Sequence, residues 1–598
     1  MAMADGRDAS PTPSEQLAED LENVPRKEDP FIQKYLAGRE ALITQEKKQR
    51  SDAAFRRALS PAALDASKIV SKIREEERRT IWTHEYEDNL VRQEGVEPYP
   101  GMMFTLARAR MEKTRLWKIV RNMPKGALLH THLDAMIDQD WLFEQALTTE
   151  GIHLSSPTPL CSASQLETSQ FRFVFAKNPT PAKASIWTEA YEGGSLIPAA
   201  VAADGFPDGG RAGFLSWLTR RCAITSEESI QHHHGLDAIW ARFQSTFRII
   251  GSILFYEPIY RAAMARMFRQ LLEDGVRWVD LRVAFVFEYR KTGSETPEEG
   301  YGEMIRVLGD ELDRFRASEE GKKFWGARMI WTTIRRFDTE QVIRGESVLV
   351  PARCEQTADA TTDMNNCIDV KIQYPHLIAG YDLVGQEDMG RPLKDLTPEL
   401  FWFRKRCAEE GVEIPFFFHA GECLGDGDET DENLFDALLL GTRRIGHGFS
   451  LYKHPLLIDM VKEKRILVES CPISNEVLRL TSSVLSHPLP ALLARGVSVA
   501  LCNDDPTILG HGANGLTHDF WQALQGWDNL GLEGLGAIAE NSVRWAAFED
   551  QNAGDWLRDV KDASVGKGVR AERMRDWAME WEKFCEWIVD EYGGEADT

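Results

Sequence analysis

The sequence has no apolar run near the length that crosses a bilayer; residues 249–256 form one of the longest and are far too short. Its opening segment, MAMADGRDASPTPSEQLAED, lacks the basic start and apolar core of a secretory signal. No Asn-x-Ser/Thr acceptor occurs, because Asn178 is followed by Pro179. The 9 cysteines are scattered singly and odd in number, which suits free thiols in a reducing compartment. These absences lead to the expectation of a cytoplasmic protein. Cations are also in deficit, with 70 Lys and Arg against 94 Asp and Glu, for a net charge of −24. A surface of that sign repels phosphate backbones and anionic lipid, so neither nucleic acid nor a membrane is expected as a partner. What remains is an ordinary globular balance, 43% hydrophobic and 27% charged. At 598 residues it suggests one large domain with additions.

Residues 1–27 are polar, rich in Pro, Ser, Asp and Glu, and are expected to be disordered. Residues 28–122 read as an N-terminal helical extension, with charged runs such as SKIREEERRTIWTHEYEDNLVRQE and few glycines. The remainder alternates short apolar runs with helical stretches, the pattern of βαβ units. The predicted strands are ALLHTH (127–132), WVDLRVAF (278–285), RMIWTTI (328–334) and HLIAGYDLVG (376–385). IPFFFHAGE (414–422), RRIGHG (443–448), ILVESCPIS (466–474) and VSVALCNDDP (497–506) complete the set. Eight strands, each with a following helical segment, fit an α/β fold of the closed (β/α)₈ TIM-barrel type better than a doubly wound open sheet. The barrel is expected over 123–570. The Ser-, Thr-, Pro- and Gly-rich stretch near 145–215 reads as an inserted subdomain after strand one, a smaller insertion lies around 344–366, and a helical tail closes the chain over 571–598.

In such a barrel the C-terminal strand ends form the active-site mouth. His130 and His132 end the first predicted strand, and their i, i+2 spacing puts both rings on one face. His419 ends the fifth, His447 the sixth, and Asp504 and Asp505 the eighth. Three neutral imidazoles and one carboxylate suit Zn²⁺ with a position left for water, so His130, His132, His419 and Asp504 are assigned to one zinc per chain. Such an ion lowers the pKa of its water towards neutrality. Glu422, three residues after His419, is the expected proton donor or acceptor beside it. His447 is expected to orient the attacking water and stabilise its developing charge, and Asp505 to accept a hydrogen bond from the substrate ring.

Each residue also has a plain structural reading. A lone histidine at a strand end is ordinarily a satisfied core residue, Asp-Asp-Pro is a turn and helix cap, and HAGE is a loop. The ensemble decides, because every motif falls at the same end of a different predicted strand. The run His232, His233 and His234 has no evident acidic partner and reads as a solvated loop or helix start. Cys471 and Cys502 read as buried small hydrophobes.

Taken together, MPKGALLHTHLDAM, IAGYDLVGQEDMG, FFFHAGE, TRRIGHGFSLYKHP, CPISNEVLRL, NDDP and GLTHDFWQAL resemble the adenosine deaminase family, most closely its adenosine deaminase-related growth factor branch. Order and spacing agree over about 123–549. The Pro-Cys-x-x-Cys signature of the cytidine-deaminase type of zinc site is absent. The resemblance implies zinc-dependent hydrolysis of adenosine or 2′-deoxyadenosine to inosine or 2′-deoxyinosine and ammonia. It implies Glu422 as the acid at purine N1, His447 as the water-orienting histidine, Asp505 at N7 and the Gly385 backbone at N3. Asp134 matches the ribose-binding aspartate of the shorter enzymes. Trp240 is a candidate for the purine or ribose pocket, with a core position on an amphipathic helix as the competing reading. The helical extension resembles the branch's dimerisation element, so a homodimer is expected. Three features depart from that branch. No signal or glycosylation acceptor is seen. Cys161 resembles one half of its insert disulfide while Ala184 stands at the other half. The aspartate follows the second histidine by two residues, as in the shorter enzymes. Alternatives are another 6-aminopurine substrate (adenine, then AMP) and a catalytically silent nucleoside-binding protein.

Overall fold

A computed structural model describes residues 26–82, 103–231, 234–337, 342, 364–512 and 515–595. The segment expected to be disordered lies outside these apart from its last two residues. So do the insertion around 344–366, apart from its last three, and His232 and His233.

All eight predicted barrel strands form. Numbered in chain order, they are β1 (Gly126–His132), β2 (Val276–Ala284), β3 (Gly326–Ile334), β4 (Ile378–Val384), β5 (His419–Ala420), β6 (Arg444–His447), β7 (Leu467–Ser470) and β8 (Val499–Leu501). They pair parallel, in the runs β1-β2-β3-β4 and β5-β6-β7-β8. Parallel bridges Tyr381–Phe416 and Thr131–Asp504 join the two runs and close the ring. The IPFFFHAGE segment is ladder-paired only over its last part. Pro415 has no N–H to give, so the segment is tied instead by Tyr381 N–H to Pro415 O (2.9 Å) and Phe417 N–H to Tyr381 O (3.0 Å). Both faces of each strand are covered, which is why the strands read as nearly continuous apolar runs.

The exceptions within those runs fill the barrel's centre. Asp280, Arg282, Asp382, Arg444 and Glu469 are fully buried strand residues, and each is ion-paired to another of the five. Unpaired charge in that place would cost several kcal/mol per ion, roughly, so the set stands or falls together.

Between β1 and β2 a three-stranded antiparallel sheet (Ile152–Ser155, Arg172–Phe175, Ile197–Pro198) and several helices are inserted. Among the N-terminal helices, Pro61–Thr80 starts at Ser60, whose Oγ accepts from Ala63 N–H. The C-terminal helix Val569–Tyr592 lies along it, with Ser60 Oγ donating to Glu582 at 2.6 Å. By contrast the helix Pro30–Lys47 buries none of its residues. Among the described residues no helix is long and apolar enough to cross a membrane.

Candidate metal centre and active site

The four predicted ligands converge. One donor atom from each of His130, His132, His419 and Asp504 lies within 4.8 Å of the others. Asp504 is central, its Oδ1 standing 3.2 Å from His130 Nε2 and 3.3 Å from His132 Nε2. Its backbone is in the left-handed region (φ 56°), as is that of His447 (φ 61°). Such a conformation costs a non-glycine residue about 1–3 kcal/mol and persists only where surrounding contacts impose it. Here the Asp504 main chain is pinned to β1 by His132 N–H to Asp504 O at 2.9 Å, and its Oδ2 accepts from Ser474 Oγ at 2.7 Å.

Two of the rings are oriented from behind by carboxylates that the sequence reading did not single out. His130 Nδ1 donates to Glu469 Oε2 at 2.9 Å, and His419 Nδ1 donates to Asp382 Oδ2 at 2.7 Å. Arg282 bridges those two carboxylates, with Nε 2.8 Å from Asp382 and Nη2 2.7 Å from Glu469. The carboxylates are held well below their usual range: burial would raise both, but Arg282 and their other partners outweigh it. Ionised acceptors fix each histidine as its Nδ1–H tautomer and turn the Nε2 lone pair into the site, the arrangement that ligating histidines need. The signal for them was present in sequence as isolated charges inside apolar strands.

The residues fit a divalent cation. Burial holds the His419 ring at about 3 and pushes that of His132 down, so both are neutral. His130 Nε2 is buried with no hydrogen-bond partner. Asp504 is a carboxylate, since His447, His130 and His132 outweigh the effect of its burial. An overlapping set of His130, His447, Cys471 and Asp504 also clusters. Burial pushes the Cys471 thiol well above its ordinary value, and a thiol is a poor ligand beside a thiolate.

The remaining candidates divide. His447 Nε2 lies 3.5 Å from Glu422 Oε1 and 3.8 Å from Asp504 Oδ2. Glu422 is buried, and burial together with Asp504 raises its carboxyl well above the usual range. Asp505 is raised in the same way by burial and Asp504. Glu422 Oε1, His447 Nε2 and Asp505 Oδ1 are buried without hydrogen-bond partners, the first two 3.5 Å apart. The Glu422 loop is held by Glu387, which accepts from Gly421 N–H (3.2 Å) and Glu422 N–H (3.3 Å). Asp134 follows β1 in a short 3-10 turn, with burial pushing its carboxyl to about 7. Gly385 directly follows β4 at φ 105°, a conformation open to glycine. Gln386 Nε2 donates to Asp237 Oδ1 at 2.9 Å, which ties this turn to the helix Gly235–Leu254. Trp240 lies on that helix, buried, its ring edge-on to Phe243 at 5.3 Å. Among the described residues no hydrogen bond or ring contact joins Trp240 to the histidine cluster. Cys161 is an exposed free thiol.

A closed parallel barrel with metal-donor side chains gathered at its C-terminal mouth is the architecture of the metal-dependent hydrolase type of (β/α)₈ fold, which other chemistries share. Comparison with known proteins narrows the class. The adenosine deaminase family model matches residues 330–563. An adenosine deaminase from Lutzomyia longipalpis is 30% identical over 481 residues, covering 80% of this chain and 81% of the relative. Adenosine deaminase 2 from Sus scrofa is 30% identical over 462 residues, covering 76% and 81%. The chain belongs to the adenosine deaminase family. Among solved structures, an adenine deaminase from Arthrobacter aurescens aligns at 16% identity with a TM-score of 0.44, covering 73% of this chain and 98% of that one.

Proposed function

We propose that the protein hydrolyses adenosine and 2′-deoxyadenosine to inosine and 2′-deoxyinosine, releasing ammonia. The carrying observation is the set of unpartnered polar atoms on Glu422, His447 and Asp505 beside a ready-made donor set of three histidines and Asp504. His130, His132, His419 and Asp504 would hold one Zn²⁺, whose Lewis acidity lowers the pKa of a water at the open position. Glu422, kept protonated by burial, donates to purine N1 and so draws electrons away from C6. His447, held neutral by burial, orients the incoming water and stabilises its charge. Asp505 is likewise kept protonated, and N7 offers only a lone pair. If Asp505 meets N7, the hydrogen bond must run from a protonated carboxyl to the ring, and the upward shift of Asp505 by burial and Asp504 is in that direction. The Gly385 N–H serves N3, Asp134 the ribose, and Trp240 the pocket wall.

The same reading assigns 123–570 to the catalytic barrel, about 145–215 to its inserted subdomain, 28–122 to a helical extension and 571–598 to a closing tail. Phe31, Tyr35, Leu36 and Leu42 are exposed on Pro30–Lys47, which supports pairing of two copies through that helix. The eight described cysteines are free thiols, which supports a reducing, cytoplasmic setting. The test is absorbance during reaction of zinc-loaded protein with adenosine, deoxyadenosine, adenine and AMP. Conversion of adenosine to inosine, abolished by a chelator and restored by zinc, is the expected result. Turnover of another purine alone would overturn the substrate, and turnover of none, with metal bound, would overturn the enzyme.

A further inference from the structure

The two ligand rings held by carboxylates, His130 and His419, carry hydrogen on Nδ1. His447 must do the opposite to act as a donor towards water, and a chain of buried side chains arranges this. The chain starts at a group with only one possible role, the backbone N–H of Leu489, which donates to His487 Nδ1 at 3.1 Å. That fixes Nδ1 of His487 as the acceptor. Burial pushes this ring down to about 3, so it is neutral and its single hydrogen is on Nε2. His487 Nε2 then donates to Asn475 Oδ1 at 3.0 Å, which fixes the orientation of the Asn475 amide. The amide nitrogen, Asn475 Nδ2, faces His447 Nδ1 at 3.4 Å and can only donate. His447 Nδ1 is therefore the acceptor and its hydrogen lies on Nε2, the atom nearest Glu422 and Asp504. His487, Asn475 and His447 are all buried, so bulk water does not compete for these links. The His487 ring is also clamped edge-on by Phe449 at 5.3 Å.

We propose that Asn475 and His487 are positioning residues that impose the Nε2–H tautomer on His447, with Leu489 N–H as the fixed end of the relay. The proposal rests on the role given to His447 above and adds what sets it. Polarity, rather than bulk, is the property that matters. Either amide orientation fits the space, but only one presents a donor to His447. An Asn475→Asp substitution nearly conserves volume and replaces the donor by an acceptor. His447 would then turn its hydrogen to Nδ1 and present a lone pair to the site. His487→Gln keeps the sense of the relay, since a glutamine amide can accept from Leu489 N–H and donate to Asn475. His487→Leu breaks it.

The experiment measures kcat, KM and bound metal for N475D, H487Q and H487L, with the His447 tautomer read from nitrogen-15 histidine spectra and assigned by comparison with H447Q. Expected are a fall of about 10²–10⁴ in kcat for N475D with metal content and KM near wild type, a smaller fall for H487L, and near-wild-type turnover for H487Q. Wild-type kcat in N475D would overturn the proposal, as would H487Q behaving no better than H487L. The spectrum of the unmutated protein keeps the test open even if the variants fold poorly or the protein turns over no purine. His447 as the Nε2–H tautomer supports the relay, and His447 as the Nδ1–H tautomer refutes it whatever the reaction.

Discussion

Replacing Gly446 by alanine tests how tightly the metal ligands are packed into the barrel. A Cβ at that position would stand 2.9 Å from His130 Cε1, 3.2 Å from its Nδ1 and 3.2 Å from the His419 Cα. Carbon atoms rest at about 3.5–4 Å, so the His130 ring must retreat by about 0.5–1 Å or the strand must bow. The ring cannot retreat freely, because its Nδ1 is bound to Glu469 at 2.9 Å and Glu469 is clamped by Arg282 and Arg444. Overpacking of this kind costs about 1–3 kcal/mol of stability. Metal–ligand distances tolerate about 0.2 Å, so the larger effect falls on the metal. Disturbing the support of one ligating histidine lowers metal affinity about 10–100-fold, equivalent to about 1.4–2.7 kcal/mol. Chelator competition gives the affinity, and kcat/KM at saturating zinc shows how much activity excess metal recovers. Gly38, on the exposed N-terminal helix, has nothing within 4 Å of its added Cβ. G38A is therefore the control, expected to be neutral or stabilising by about 0.5–1 kcal/mol. If G446A holds metal within about twofold of wild type, the argument that His130 is fixed by close packing is wrong.

Glu422→Gln should retain its metal and lose about 10²–10⁴ in kcat, because the amide holds the place of the carboxyl but has no proton to transfer; wild-type turnover would remove Glu422 from the reaction. Asp134→Asn should lower kcat/KM for adenosine by about tenfold or more while leaving any activity on the free base adenine unchanged, and an equal loss on both would show that Asp134 does not read the sugar. Glu476 is buried with its carboxyl pushed up to about 8 from a reference of 4.5, while Oε2 accepts from Phe104 N–H at 2.9 Å. A raised carboxyl binds its proton more tightly when folded, so its stabilising effect is full below about pH 4.5 and is lost as pH rises through about 8. Melting curves of Glu476→Gln should therefore fall less between these limits than those of the wild type; parallel curves would refute the assignment.

Much of the site was legible from the chain alone, because strand ends in a parallel barrel share one rim. HAGE and RIGHG sit on adjacent strands, but the histidine pair of the first strand meets NDDP of the eighth only because the eight strands close. What sequence could not give was the barrel's interior. Arg282, Asp382 and Glu469 are distant along the chain, and nothing local to each says that one guanidinium joins both carboxylates or that each carboxylate backs a different histidine. Direction was equally hidden. Asp505 read as an acceptor from its residue type, and nothing local in the sequence showed that burial beside Asp504 would raise its carboxyl. Sequence fixes which groups can carry protons and roughly which rim they share. Whether a carboxyl is charged, or which ring nitrogen bears hydrogen, depends on desolvation and on partners a few ångströms away in space, so only the tertiary structure decides it.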